Sequence, residues 1–389
     1  MQHYFICKIS NNTNHKNELQ FRTRSPYMNK ILSSLFLSST VASALVSNMA
    51  YADSPYFSFK DGDGFKRFSV SVGALYVKPT GTAQPIGVNT SIAEGEKAKV
   101  GDISIKSVKE NMDPNMDANL STTFVKFLDG LGVDTLSGSL SGTAQINGLS
   151  QWQNQGTGLE ADDVATLGIM SNYFFTDHVS LEMKAGIPPK VDIQGKGQIN
   201  APFQAIATPE LIGIKLPNID MKNDILITDL SGHGKVAEAR AWTPAVEMQY
   251  HFGKTGVNKF RPYLGVGLMY AYFNDLKINP ALEKDLVAAG HMIANIKQGH
   301  AGAALDGKTS SANPKVKLEA NDAFAPIMTA GFTYDFNERW FAVGSVSYAH
   351  LTGETEITVK DEQLGQLIKA KSDIEINPLL GYAGIGYRF

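Results

Sequence analysis

Eight stretches of the chain alternate apolar with polar or small residues, and this period of two constrains the fold more than any other feature. They run over 67–79, 163–175, 178–192, 237–252, 259–275, 322–336, 339–353 and 373–389. In the fifth, Pro262, Leu264, Val266, Leu268, Tyr270 and Tyr272 fall on one face. Arg261, Tyr263, Gly265, Gly267, Met269 and Ala271 fall on the other. Alternation sustained this long means strand, and roughly ten residues is what a tilted strand needs to cross a bilayer. A soluble sandwich has similar strands, so the period alone does not choose between the two.

The connections decide between them. Those around Thr176-Asp177, Gly253 to Asn258 and Asn337-Glu338 are short, whereas 80–162, 194–236, 276–321 and a smaller one near 354–372 are long, and the two kinds strictly alternate. Tight turns at one end and extended loops at the other are the asymmetry of an outer-membrane barrel. Tyr173, Phe174, Phe175, Tyr250, Phe252, Tyr334, Phe336, Trp340, Tyr387 and Phe389 gather beside the short turns, as an interfacial girdle requires. The expected fold is all-β: an eight-stranded antiparallel transmembrane β-barrel with long extracellular loops, in the outer membrane of a Gram-negative bacterium. Within the loops, Asp117 is positioned to cap a helix carrying Leu120, Phe124, Phe127 and Leu131. Asn279-Pro280 starts another with Leu282, Leu286, Ile293 and Ile296, the alternative for both being mobile, solvated loop.

Composition narrows the partners. Lys and Arg number 35 against 38 Asp and Glu, which gives no footing for nucleic acid. Outside the N-terminal region no apolar run reaches the roughly 18 residues of a membrane-spanning helix. Met28-Asn29-Lys30, the apolar stretch Ile31 to Val46 and the site Ala50-Tyr51-Ala52 have the three regions of a secretory leader. The expected organisation is an extension over 1–27, a leader over 28–52 cleaved after Ala52, and a barrel over 53–389. Cys7, the only cysteine, lies upstream of all this, so the remainder has no disulfide or thiolate chemistry.

Five stretches resemble the OmpW family of small outer-membrane barrels. They are Thr166-Leu167-Gly168 through Tyr173 to Thr176-Asp177; Trp242-Thr243-Pro244 with Tyr250-His251-Phe252; Phe260-Arg261-Pro262-Tyr263-Leu264-Gly265-Val266-Gly267; Ala330-Gly331-Phe332 to Trp340; and Gly384-Ile385-Gly386-Tyr387-Arg388-Phe389. The chain departs from the family in its longer loops, and it has Ser347 where some relatives place a bulky aromatic. The resemblance implies a passive conduit for small hydrophobic molecules, with a lumen too narrow for an aqueous pore.

The alternation also sorts the inward-facing residues by height. Glu182, Lys184, Glu247, His251, Arg261, Asp335 and Arg388 face inward in the lower half and are expected to form a salt-bridged periplasmic plug. Above them Leu75, Val77, Met170, Thr243, Met269 and Ile327 are expected to line an apolar pocket. Plain packing of a small barrel's interior is the alternative for both sets. Pro188, Pro189 and Pro244 interrupt the third and fourth strands, where each removes a ladder donor, and mark an expected lateral opening. The expected partners are outer-membrane lipid, small hydrophobic solutes and, through the C-terminal Phe389, the barrel-assembly machinery.

No catalytic or cofactor motif accompanies this pattern. There is no H-E-x-x-H, G-x-S-x-G or P-loop, and Gly265-Val266-Gly267 lacks the third glycine of a dinucleotide fingerprint. Asp61-Gly62-Asp63-Gly64 lacks the ligands that follow in a calcium loop, and His233, His291, His300 and His350 have no metal spacing. Two other function classes remain open. One is a structural or adhesive protein acting through the long first loop; the other is a lipid-modifying barrel enzyme, for which His350 with Thr352 is the candidate pair.

Overall fold

A computed structural model describes residues 66–389. The leader and extension expected over 1–52, and Asp61 to Gly64, lie outside the described residues. Eight strands form the barrel: β1 (Phe68–Lys78), β2 (Val164–Phe174), β3 (Val179–Gly186), β4 (Ala245–His251), β5 (Phe260–Ile278), β6 (Ala323–Asp335), β7 (Trp340–Ala349) and β8 (Leu379–Arg388). Each pairs antiparallel with its chain neighbour, and β1 closes on β8 from Ser69↔Arg388 to Lys78↔Leu379. Closure leaves no unpaired edge, as hydrocarbon demands. Among the described residues no helix is long and apolar enough to cross a membrane.

The two faces of the wall follow the alternation. Val72, Leu167, Ile169, Met183, Val246, Met248, Leu264, Leu268, Met328, Val346 and Ile385 are large apolar side chains left exposed, a lipid-facing band. At the short-turn end the aromatics pack edge to face: Tyr173 on Phe175 (5.3 Å), Tyr250 on Phe252 (5.1 Å), and Trp340 on Tyr387 (5.0 Å). Inside, small residues make room for large ones. A Cβ on Gly331 would sit 2.5 Å from the Tyr263 ring, and one on Gly386 would sit 2.1 Å from the Phe341 ring, so glycine there is what lets those rings lie flat against the wall.

Four of the expected strands are shorter in the barrel than their periodicity, each for a local reason. The third stops at Gly186 and resumes as Lys190–Lys196 beyond Pro188-Pro189, and the fourth is split into Lys235–Trp242 and Ala245–His251 by Thr243-Pro244. The eighth begins only at Leu379, after Asn377 with φ 39° and Pro378, and the seventh ends at Ala349. The residues beyond those two breaks, Thr352–Asp361 and Gly365–Glu375, form a hairpin above the barrel instead of a loop.

The long loops fold together into a cap with its own core. A five-stranded sheet runs Lys315–Ala320, Thr352–Asp361, Gly365–Glu375, Ile86–Thr90, Gln151–Asn154, so it draws on the first, third and fourth loops. A four-stranded sheet of Ile219–Asp229, Gln198–Thr208, Thr143–Asn147 and Glu96–Lys99 joins the first and second. Between them lies the helix Pro280–Lys297, capped by the Asn279 side chain, with Leu282, Leu286, Ile293 and Ile296 all buried. The mobile-loop alternative does not describe these segments. The other expected helix, Leu120–Gly130, is capped by Asn119 in a reciprocal box with Thr122 rather than by Asp117. It turns Leu120, Phe127 and Leu131 outward, burying Ser121, Thr122 and Val125.

Candidate functional site

The inward charges of the lower barrel form three clusters at successive heights. At the short-turn end Arg388 Nη2 meets Asp335 Oδ1 at 2.7 Å, and its guanidinium lies 4.5 Å from the Phe341 ring centre. Arg261, 1% exposed, pairs with Asp177 of the β2–β3 turn at 3.5 Å and donates to the Asp177 carbonyl and to Thr255 Oγ1 (2.7 Å). Asp177 was not among the expected plug residues, because a turn aspartate reads first as a turn former. Higher up, Lys184 Nζ contacts Glu247 (2.7 Å) and Glu182 (3.4 Å) and donates to Thr329 (2.7 Å) and Ser347 (3.1 Å). Thr329 donates on to Glu247 (2.9 Å), and Asn172 donates to Glu182 (2.6 Å). His251 lies between the clusters, 3.1 Å from Ser180 Oγ, its ring tilted against those of Phe174 and Tyr263, each 4.9 Å away between centroids. The hydroxyl of Ser347, where an aromatic would fill the lumen, is therefore one of four polar groups around the Lys184 ammonium.

An apolar layer closes the lumen above Lys184. Ala245, Met269, Ala271, Ala325, Ile327, Ala349, Leu351 and Leu380 are buried together, with Leu75 and Val77 packed against them. Over this layer, between the barrel mouth and the cap, is a cavity of about 170 Å³. Of the six residues expected to line a pocket, Val77, Thr243 and Met269 do so; Leu75 and Ile327 belong to the packed layer, and Met170 lies lower, with Tyr263 and Phe341. Much of the remaining lining comes from the cap, including Val88, Trp152 and Ile357 of the five-stranded sheet and Leu286, Met292 and Ile293 of the helix Pro280–Lys297. Sequence reasoning missed these because it treated the loops as vestibule; the alternation Ile86, Val88, Thr90 was the available signal.

The prolines break the ladder on both sides of the third strand. Toward the fourth strand pairing stops at Lys184↔Ala245 and returns with the Ala241 N–H donating to Pro189 O (3.1 Å) and Lys190↔Arg240. Pro244 O still accepts from Tyr270 N–H (2.9 Å), so the fourth strand stays attached to β5. Toward β2 pairing ends at Gly186↔Gly168, followed by Ile187 N–H to Leu167 O, and returns with Asp162 N–H to Asp192 O and Ile193↔Ala161. Between, side chains replace the ladder, Thr166 Oγ1 donating to Ile187 O (2.7 Å) and Arg240 Nη1 to Pro188 O (3.3 Å). The ladder is thus open on both sides of the third strand, over 188–191 toward β2 and over 185–188 toward the fourth strand, because Pro188, Pro189 and Pro244 have no N–H to donate. Val164, Pro189 and Val191, which flank the gap toward β2, also line the cavity, while Ile187 beside that gap is exposed on the lipid face.

His350 and Thr352 both lie exposed at the top of β7, and among the described residues no three His, Cys, Asp or Glu are placed to hold a metal ion.

A family model described as the OmpW family matches residues 129–290. Outer membrane protein W of Vibrio cholerae is 26% identical over 223 residues, 57% of this chain and 73% of that protein. Among solved structures, OprG from Pseudomonas aeruginosa aligns over 83% of this chain and 96% of its own, with 16% identity and a TM-score of 0.43. The outer membrane protein AlkL, solved in lipid bilayers, aligns over 87% and 96%, with 16% identity and a TM-score of 0.37. The closed eight-stranded wall is that of a Gram-negative outer-membrane barrel, and the family match over 129–290 and the Vibrio relative make the chain similar to the OmpW family.

Proposed function

We propose that the protein passes small apolar solutes from the cell exterior into the outer membrane, collecting them in the cavity beneath the cap and releasing them sideways through the gap between β2 and the third strand. One observation carries the reading: the residues flanking the ladder break, Val164, Pro189 and Val191, are also cavity wall. The route down the axis is filled by the apolar layer and, below it, by Lys184–Glu247, Arg261–Asp177 and Arg388–Asp335. An apolar solute gains about 25 cal/mol per Å² on leaving water, so passage into lipid needs no energy source, whereas an ion entering the bilayer loses heavily.

The test is to close the gap. In a Cys7→Ser background, Thr166→Cys and Pro188→Cys face each other if the register of Gly186↔Gly168 continues. Once joined by a short crosslink, they should abolish uptake of an apolar solute into proteoliposomes, and cleavage of the crosslink should restore it. Full-rate uptake through the crosslinked protein would refute lateral release. A second reading, attachment through the first loop, is favoured by Leu120, Phe127 and Leu131, which stand exposed on its helix. Replacing all three with serine should then abolish cell-surface binding without changing solute uptake.

A further inference from the structure

The cavity's wall is mostly hydrocarbon, and one buried donor in it stands out. The five-stranded cap sheet presents a row of residues across its width: Leu318, Ile357, Ala370, Val88 and Trp152, each paired with the next, all lining the cavity. Trp152 ends this row on the edge strand, and its indole Nε1 is buried with no hydrogen-bond partner in the protein. Several other polar side chains in the wall are engaged: Thr90 donates to Leu149 O, Thr228 to Asp285, Ser372 to Gln84 O, and Glu354 is held by Lys371. Two residues along the same strand, and so on the same face, Asn154 Nδ2 is a second buried donor without a partner, its Oδ1 already accepting from Asn200 N–H.

Both unengaged groups are N–H donors, and the indole nitrogen has no acceptor capacity. Leaving a buried donor unpaired is costly, whereas a ligand bearing an oxygen acceptor would satisfy it. A saturated hydrocarbon fills the space equally well but leaves the donor orphaned. We infer that the cavity selects lipophiles carrying a hydrogen-bond acceptor, such as ketones, esters or ethers, with that oxygen seated on Trp152 Nε1–H and the alkyl chain along the row toward Leu318. This rests on the cavity being the solute site.

The probes are 2-decanone and n-decane, offered to the full-length protein in lipid nanodiscs, with empty nanodiscs giving the partition into lipid alone. The protein should retain 2-decanone over decane by roughly ten- to a hundred-fold beyond the lipid ratio, and Trp152→Phe should remove that preference while retaining decane. A direct readout avoids any doubt over the variant's folding. Trp152, Trp242 and Trp340 are the only tryptophans, so a ¹⁵N-indole spectrum has three side-chain N–H signals, and only that of Trp152 should shift, with the ketone and not with the alkane. Equal retention of both probes, a preference surviving Trp152→Phe, or an unmoved Trp152 signal with ketone bound would overturn the inference and leave the channel reading standing. Failure to retain either probe above empty discs would overturn both.

Discussion

Among the described residues Lys184 is the one cation touching two carboxylates that are almost wholly buried, Glu182 at 1% and Glu247 at 0% exposure, which makes its removal the severest single test of the lower lumen. Lys184→Met keeps most of the volume and deletes the charge. Glu182 then retains only Asn172 as a donor and Glu247 only Thr329, so two like charges face each other across the Glu182↔Glu247 register pair without compensation. Breaking a buried pair from one side costs about 3–5 kcal/mol. With a urea slope of about 3 kcal/mol per M, the unfolding midpoint in lipid vesicles should fall by roughly 1–2 M. The heat-modifiable gel shift of the folded barrel reports the transition. Adding Glu182→Gln and Glu247→Gln to Lys184→Met should recover most of the loss, since a neutral network has no stranded charge. A single-variant loss below about 1 kcal/mol, or no recovery in the triple variant, would show that the charges are solvated and that the lumen is not closed there.

Other consequences follow from the cap, the rim and the C-terminus. Ile293, 0% exposed on the cap helix, should cost about 2–5 kcal/mol of cap stability as Ile293→Ala, seen as faster hydrogen exchange in the cap sheets with the barrel unaffected. Above the proline break, Lys235 and then Lys190 hold the Glu238 carboxyl down to about 2 from an ordinary 4.5. A carboxylate with a depressed folded-state pKa stabilises above the ordinary value, so protection of the strands Lys190–Lys196 and Lys235–Trp242 should be constant above about pH 5 and decline as pH falls toward 2, a decline absent in Glu238→Gln. Phe389 stands 61% exposed on the lipid face, 5.7 Å from the Phe68 ring. If the assembly machinery reads it, deleting it should lower the folded fraction in cells while leaving the melting of whatever folds nearly unchanged.

The barrel was legible in the sequence because its determinants are local. Strands such as Phe68–Lys78 and Val164–Phe174 agree with their periodicity to within a residue at each end, since one face meets lipid and the other the lumen throughout. Where periodicity overran, as at Asn377-Pro378 and Thr243-Pro244, the breaking residues were in view, but a strand leaving the barrel to join another sheet is a tertiary event. The cap was not legible for the same reason. Ile86–Thr90 is only five residues long, and its partners are Gln151–Asn154 and Gly365–Glu375, far along the chain, so nothing local specifies the pairing. The inward charges were readable from alternation, but their grouping was not. Asp177 comes from a turn and Thr329 and Ser347 from two other strands, and only closure of the barrel brings them to Arg261 and Lys184. The pocket was expected inside the barrel because the loops' short periodic runs do not reveal that they share one core; once they fold, that core extends the apolar surface upward and the cavity lies at the junction.

The account's central claim is that apolar solutes cross while the axis stays shut. The most direct measurement follows both in one preparation: proteoliposomes loaded with K⁺, in which uptake of n-decane or 2-decanone and efflux of K⁺ are recorded against protein density. Uptake of at least one of the two should rise in proportion to protein while K⁺ efflux stays at the rate of empty vesicles. K⁺ efflux that rises with protein, or uptake of both solutes indistinguishable from that of empty vesicles, would contradict the account.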